Sequence, residues 1–63
     1  MKELREAAGL TQKQVAELIH VARSTVAMWE SGRSRPLFQN LLRLAKLYNC
    51  SIDALTEASE RAA

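Results

Sequence analysis

Apolar residues recur along the chain at helical spacing, in short runs separated by residues that stop helices. Lys2 to Ala8 is a helix-forming run halted at Gly9, a natural residue for the left-handed position after a helix. Val15, Ala16 and Ile19 make the next apolar stripe, predicting a second helix over 12–19. Its start is marked by Thr11-Gln12-Lys13-Gln14, a capping box: Thr11 accepts from the Gln14 amide and the Gln14 side chain reaches back. Leu10 and Val15 bracket that cap as a hydrophobic staple.

A third helix over 23–30 follows almost at once, with Val26 and Trp29 on its apolar face and Gly32 just beyond. By residue preference Ser24 is its cap. Val21 and Val26, however, repeat the relation of Leu10 to Val15, and that phase puts the cap at Ala22. Cys50 and Leu55 repeat the relation around Ser51, a good cap for a last helix. Ala22 is a poor cap, costing about 1 kcal/mol against Ser or Thr.

Arg33-Ser34-Arg35-Pro36 is a loop by composition. Phe38, Leu41, Leu42, Leu44, Ala45 and Tyr48 make a strongly amphipathic fourth helix over 38–48, with Asn49 as its left-handed stop. A fifth, over 52–59, buries Ile52 and Leu55 and runs into an Ala-rich end expected to fray. No strand pattern or repeat interrupts the series, so the expected fold is all-α: one compact domain over 1–63 with five short helices.

Composition narrows the picture. The chain has 63 residues, 48% hydrophobic and 25% charged, with two Gly and one Pro. A domain this size buries only about 60% of the surface its unfolded chain exposes, so self-association is a reasonable expectation. The lone Cys50 cannot make an internal disulfide, which suits a reducing, cytoplasmic setting. No apolar run approaches the roughly 20 residues of a membrane span, and no signal peptide is expected before the domain.

The net charge of +2 is unevenly placed. Through residue 30, Lys2, Arg5, Lys13 and Arg23 cancel Glu3, Glu6, Glu17 and Glu30. Arg33, Arg35, Arg43 and Lys46 then follow with no acid among them, before an acidic end carrying Asp53, Glu57 and Glu60 against Arg61. The basic middle reads either as a surface for a polyanion or as solubilising charge.

Only His20, Val21 and Ala22 separate the second helix from the third. So short a link forces a sharp crossing, the geometry of the DNA-binding helix-turn-helix. Here the sequence resembles the phage-repressor and Cro-like helix-turn-helix family, the XRE family. The residues that carry the resemblance are Leu4-Arg5, Gly9-Leu10-Thr11-Gln12, Val15-Ala16, Val21, Arg23-Ser24-Thr25-Val26, Trp29-Glu30-Ser31-Gly32, Arg33, Pro36, Leu41-Leu42, Leu44-Ala45 and Ser51-Ile52. They span Lys2 to about Thr56. The sequence departs from the family where His20 stands for the usual turn Gly, Ala22 for its Ser or Thr cap, and Leu37 for a polar residue opening helix four. The first helix is also short.

The resemblance implies a repressor-like fold with the helix-turn-helix at helices two and three, and a third helix that enters the DNA major groove N-terminal end first. Arg23, Ser24 and Met28 then face the bases. A cation in the first turn opposes the helix dipole by roughly 0.3–1 kcal/mol, so Arg23 is poorly placed for stability alone. Donating to guanine O6 and N7, it gives about 1–3 kcal/mol of discrimination. Ser24 suits a base or a phosphate, and Met28 either touches a thymine methyl or packs at the helix edge. Gln12, Lys13, Thr25, Ser31, Arg33 and Arg35 are expected on the DNA backbone, while Arg43 and Lys46 read as solvated helix surface. The resemblance also implies an ion pair of Arg5 with Glu30 that orients the third helix.

Catalytic chemistry is not expected. His20 has no second His and only Cys50 as another soft ligand, so neither a metal site nor a cofactor is implied. Cys50 sits at an apolar staple position, and Glu3, Glu6 and Glu17 belong to solvated helix faces. The expected function is a sequence-specific regulator of transcription, a repressor bound as a homodimer to a pseudo-palindromic operator in double-stranded DNA. The alternative is an antitoxin-like or adaptor module using the same fold mainly to bind protein, although no toxin-wrapping tail is expected. Exposed apolar residues around Leu47, Ile52 and Leu55 are the candidate dimer surface.

Overall fold

The computed structural model describes residues 1–62, in which the sequence forms five α-helices and no strand. They are α1 (Lys2–Ala7), α2 (Gln12–Ile19), α3 (Arg23–Ser31), α4 (Phe38–Leu47) and α5 (Ile52–Ala62). The ends differ from the sequence expectation by small amounts. Ala8 and Tyr48 cap α1 and α4 instead of belonging to them, α3 takes in Ser31, and α5 runs on to Ala62 where fraying was expected.

One turn geometry closes each of the first four helices. A left-handed residue stands after the helix, and the amide of the next residue donates to a carbonyl five residues back. The pairs are Gly9 with Leu10 to Arg5, His20 with Val21 to Ala16, Gly32 with Arg33 to Met28, and Asn49 with Cys50 to Ala45, at 3.0–3.2 Å. This is the Schellman arrangement, which satisfies carbonyls that a helix end leaves open. In three cases the donor residue is apolar (Leu10, Val21, Cys50), packs against the core, and also serves as the staple residue of the next helix. One side chain thus ends one helix and fixes the entry of another, which is why these connections are so short. Arg33 is the exception, and there a longer loop follows.

The starts are less uniform. Thr11 Oγ1 accepts from the Gln14 amide at 3.1 Å while Gln14 Oε1 accepts from the Thr11 amide at 2.9 Å, completing the capping box. Ser51 Oγ accepts from the Ala54 amide at 3.1 Å. Ala22 caps α3 with extended backbone and no side-chain bond, in the phase that the Val21–Val26 staple requires.

The core draws on every helix from α2 onward. Its largest fully buried side chains are Val15, Val26, Leu44 and Leu55, one each from α2, α3, α4 and α5, with Trp29, Tyr48, Ile19 and Met1 filled in around them. Leu55 is 0% exposed, which removes it from the candidate dimer surface. Leu47 and Ile52 are half-buried against the core. The large apolar residues left in solvent are instead Leu37, Phe38 and Leu42 along the start and outer face of α4, with Leu18 on α2 and Met28 on α3.

The most extensive helix–helix packing is between α2 and α3, the two halves of the helix-turn-helix. α5 packs on both α3 and α4, and the described chain measures 23 × 23 × 20 Å. No helix of the described residues is long and apolar enough to cross a membrane.

Candidate nucleic-acid interface

Burial of Val26 and Trp29 fixes how α3 is rolled about its axis. Arg23, Ser24 and Met28 are exposed as a result, and Ala27 between them is half-buried. Arg23 is the first helical residue of α3, on the positive end of its dipole, with no acid in that turn to offset it. Thr25 is half-buried beside this face, and Ser31 is exposed at the helix end with its hydroxyl donating to the Met28 carbonyl at 3.1 Å.

Gln12 and Lys13 open α2. The capping box takes up the amides of Thr11 and Gln14, so the amides of Gln12 and Lys13 are the first-turn donors left over, the kind that helix starts offer to anions. Lys13 is exposed, as are Arg33 and Arg35 in the loop before α4, and none of the three has an ion pair among the described residues. Arg35 borders a recess shared with Pro36, Leu41, Thr56, Ser59 and Glu60, toward α5. Among the described residues, Arg23 bonds to Gln12 and not to the loop arginines. Arg43 and Lys46 are exposed on α4.

Behind the exposed face lies an ion pair. Arg5 Nε stands 2.6 Å from Glu30 Oε2, and Arg5 Nη2 donates to Glu30 Oε1 at 3.3 Å. The two side chains are 10% and 7% exposed, and Arg5 Nη1 also donates to the Leu10 carbonyl at 2.8 Å. One guanidinium therefore ties α1, the turn before α2 and the end of α3 together. The hydrogen bond that Arg5 donates to Glu30 outweighs desolvation and raises the Arg5 pKa above its ordinary value, so the cation is secure. Tyr48 lies near this pair, and its phenol is pushed up to about 12, first by burial and then by the charge of Glu30.

Two contacts were not foreseen from the sequence. Gln12 Nε2 donates to Glu30 Oε1 at 2.9 Å, and Arg23 Nη1 donates to Gln12 Oε1 at 3.3 Å. Gln12 and Arg23 are the first helical residues of α2 and α3, so a short turn that crosses the helices sharply was a signal available for bringing them near each other. The rotamers that join them were not readable. No three His, Cys, Asp or Glu residues among the described ones are grouped to hold a metal ion.

A family model described as helix-turn-helix matches residues 1–55 of this arrangement. The chain belongs to the helix-turn-helix family, in its XRE branch. Over 60 residues it is 35% identical to the HTH-type transcriptional activator BcrR of Enterococcus faecalis, covering 95% of this chain and 29% of that protein. It is 37% identical over 60 residues to the HTH-type transcriptional regulator ImmR of Bacillus subtilis, covering 95% of this chain and 47% of the relative. An uncharacterized HTH-type transcriptional regulator of Archaeoglobus fulgidus is 29% identical over 55 residues, 87% of this chain and 79% of that protein. The chain thus spans less than half the length of the first two relatives. No solved structure matches it. The family is one of DNA-binding regulators, not of enzymes.

Proposed function

We propose that this helix-turn-helix is the reading head of a sequence-specific, double-stranded-DNA-binding transcriptional regulator that works in the cytoplasm as a repressor. The observation that carries this reading is the outward face of α3, where Arg23, Ser24 and Met28 are exposed while Val26 and Trp29 lock the helix beneath them. Arg23 and Ser24 read base edges at the entering end of the helix, and Met28 meets a thymine methyl further along. Gln12, Lys13, Thr25, Ser31, Arg33 and Arg35 hold the phosphate backbone and set the register. The Arg5–Glu30 pair orients α3 from behind.

The operator is pseudo-palindromic and the active form a homodimer. Half-sites one turn apart are separated by about 34 Å, more than the 23 Å width of one copy, so two copies can occupy them without overlapping. We assign the contact between copies to the exposed apolar side of α4, at Leu37, Phe38 and Leu42, in place of the buried Leu55. Sedimentation at micromolar concentration tests this: Phe38→Ser with Leu42→Ser shifts a dimer to monomer. A species already monomeric before substitution overturns the assignment. The domain covers the whole of residues 1–63.

Titration of duplex genomic fragments at two salt concentrations tests DNA recognition. Affinity is expected to fall steeply with salt, with a slope reporting roughly three to five phosphates per subunit. Arg23→Ala is expected to remove discrimination at one base pair of each half-site. No binding at low salt, or selectivity indifferent to Arg23→Ala, favours the antitoxin-like or adaptor module instead. Activation, the role named for the Enterococcus faecalis relative, is distinguished from repression by a promoter-reporter measurement.

A further inference from the structure

Among the described residues, Ser59 Oγ is the one buried side-chain polar atom with no hydrogen-bond partner, on a residue only 5% exposed. A desolvated hydroxyl of this kind costs stability, so its presence calls for a reason. Ser59 lines a recess of about 70 Å³ between the Arg33–Pro36 loop and α5. At about 30 Å³ of liquid per water, that is room for two waters or one small molecule of similar bulk. Pro36 and Leu41 form the apolar part of its lining. On α5, Thr56 and Glu60 stand one turn apart with Ser59 between them, so three polar side chains share one face. Arg35 borders the recess from the loop. Neither Arg35 nor Glu60 makes an ion pair among the described residues. The recess thus carries one charge of each sign, on separate elements, around an unsatisfied hydroxyl.

We propose that this recess is a binding site for a small zwitterion, an α-amino acid of the size of glycine or alanine. A lone anion in it would face Glu60, and a lone cation would face Arg35; a molecule with both charges meets both favourably. The ligand carboxylate accepts from the Arg35 guanidinium and from the Ser59 hydroxyl, and the ammonium donates to Glu60 and to the Thr56 hydroxyl. The carbon between them lies against Pro36 and Leu41. Stability given up at Ser59 in the free chain is recovered when the ligand supplies the missing partner. With so few heavy atoms and an open rim, the affinity is in the millimolar range. Resting on the reading of Arg35 as a phosphate contact, the site also has a regulatory consequence: the ligand carboxylate takes Arg35 from the DNA backbone.

The test titrates the free full chain with glycine, alanine, acetate, methylammonium and leucine at constant ionic strength, reading backbone amide chemical shifts. Glycine or alanine is expected to give saturable shifts centred on the 33–36 loop and on Thr56, Ser59 and Glu60. Acetate and methylammonium, with one charge each, and leucine, with too large a side chain, are expected to bind more weakly by roughly 3- to 10-fold or more. Arg35→Gln, Glu60→Gln and Ser59→Ala are each expected to weaken glycine binding by a similar factor. Ser59→Ala is the sharpest of these, because removing an unpartnered hydroxyl raises stability, so weaker binding by that variant cannot come from unfolding. Shifts that stay linear for every compound overturn the proposal. So does acetate binding as tightly as glycine, which marks a plain anion site, or glycine binding indifferent to Ser59→Ala.

A second arm repeats the duplex titration with glycine at saturation. Affinity is expected to fall by roughly 3- to 10-fold with a salt slope lower by about one, and Arg35→Gln is expected to abolish that response. Unchanged duplex affinity while glycine is bound overturns the regulatory consequence. Because the first arm reads the free protein, it decides the site even if no duplex is bound selectively, an outcome that would sink the functional reading instead.

Discussion

His20 and Asn49 occupy the same place in two turns: each is left-handed, with φ of 60° and 53°, and each is followed by an amide bonded to the carbonyl five residues back. In the two sister turns that place is held by Gly9 and Gly32, with φ of 75° and 81°. Side chains with a Cβ are disfavoured in this region, Asn and His less than most. Replacing His20 by Gly is therefore expected to raise stability by about 1 kcal/mol, and Asn49→Ala to lower it by a similar amount. Denaturant titration followed by the fluorescence of Trp29, the chain's one tryptophan, measures both. A destabilised His20→Gly would show that the His20 side chain contributes more than its backbone strain costs.

Two hydroxyls are misallocated from the standpoint of stability. The α3 cap, Ala22, has none, so the start of that helix lacks the side-chain bond that Thr11 and Ser51 give to α2 and α5. Ser59 has one, but it is buried on α5 without a hydrogen-bond partner among the described residues. Ala22→Ser is expected to gain about 0.5–1 kcal/mol through a bond to the Thr25 amide or its neighbour. Ser59→Ala is expected to gain about 1 kcal/mol by removing a desolvated hydroxyl. The sites lie on different helices, so thermal unfolding of the double variant should show nearly additive gains.

How far the sequence led is explained by distance along the chain. Caps, staples and left-handed stops involve residues within five positions of one another, and Thr11, Val21 and Asn49 could be read from those neighbours alone. The outer face of α4 could not. Phe38, Leu41, Leu42, Leu44, Ala45, Leu47 and Tyr48 give that helix more apolar positions than one stripe needs. Which of them stay in solvent depends on α5, whose Leu55 goes into the core while Phe38 and Leu42 do not. The Arg5–Glu30 contact came from family resemblance, since the two are 25 positions apart. The path through Gln12 to Arg23 depended on rotamers that no pattern of residue types encodes.

Because Arg5 makes three bonds across separate elements while nearly buried, its removal should be costly. Arg5→Met leaves the Glu30 carboxylate with Gln12 as its one remaining polar partner among the described residues, in a poorly solvated place. Breaking one side of such a pair costs about 3–5 kcal/mol, most of it from the stranded charge. A chain of this size has little more than that to lose. Arg5→Met is thus expected to be largely unfolded at 25 °C, and adding Glu30→Met should restore much of the loss. Circular dichroism melts of the two variants check this, and a double variant no better than the single would mean that the stranded carboxylate is not the cause.

Tyr48 supplies a pH dependence whose sign follows from its burial. Its phenol, ordinarily near 10.0, is pushed up to about 12, first by desolvation, then by Glu30, with Arg5 opposing and Cys50 adding slightly. The folded chain therefore keeps the phenolic proton over a range where the unfolded chain releases it. Stability from this group is fully present below about pH 10 and is lost as pH rises toward 12. A shift of this size is worth about 2–3 kcal/mol at most. Tyr48 is the only tyrosine, so tyrosinate absorbance reports its ionisation directly, and it should appear together with unfolding rather than before it. Tyr48→Phe should flatten the decline between pH 10 and 12. A phenol that ionises near 10 while Trp29 fluorescence remains native would place the Tyr48 hydroxyl in water and remove this contribution.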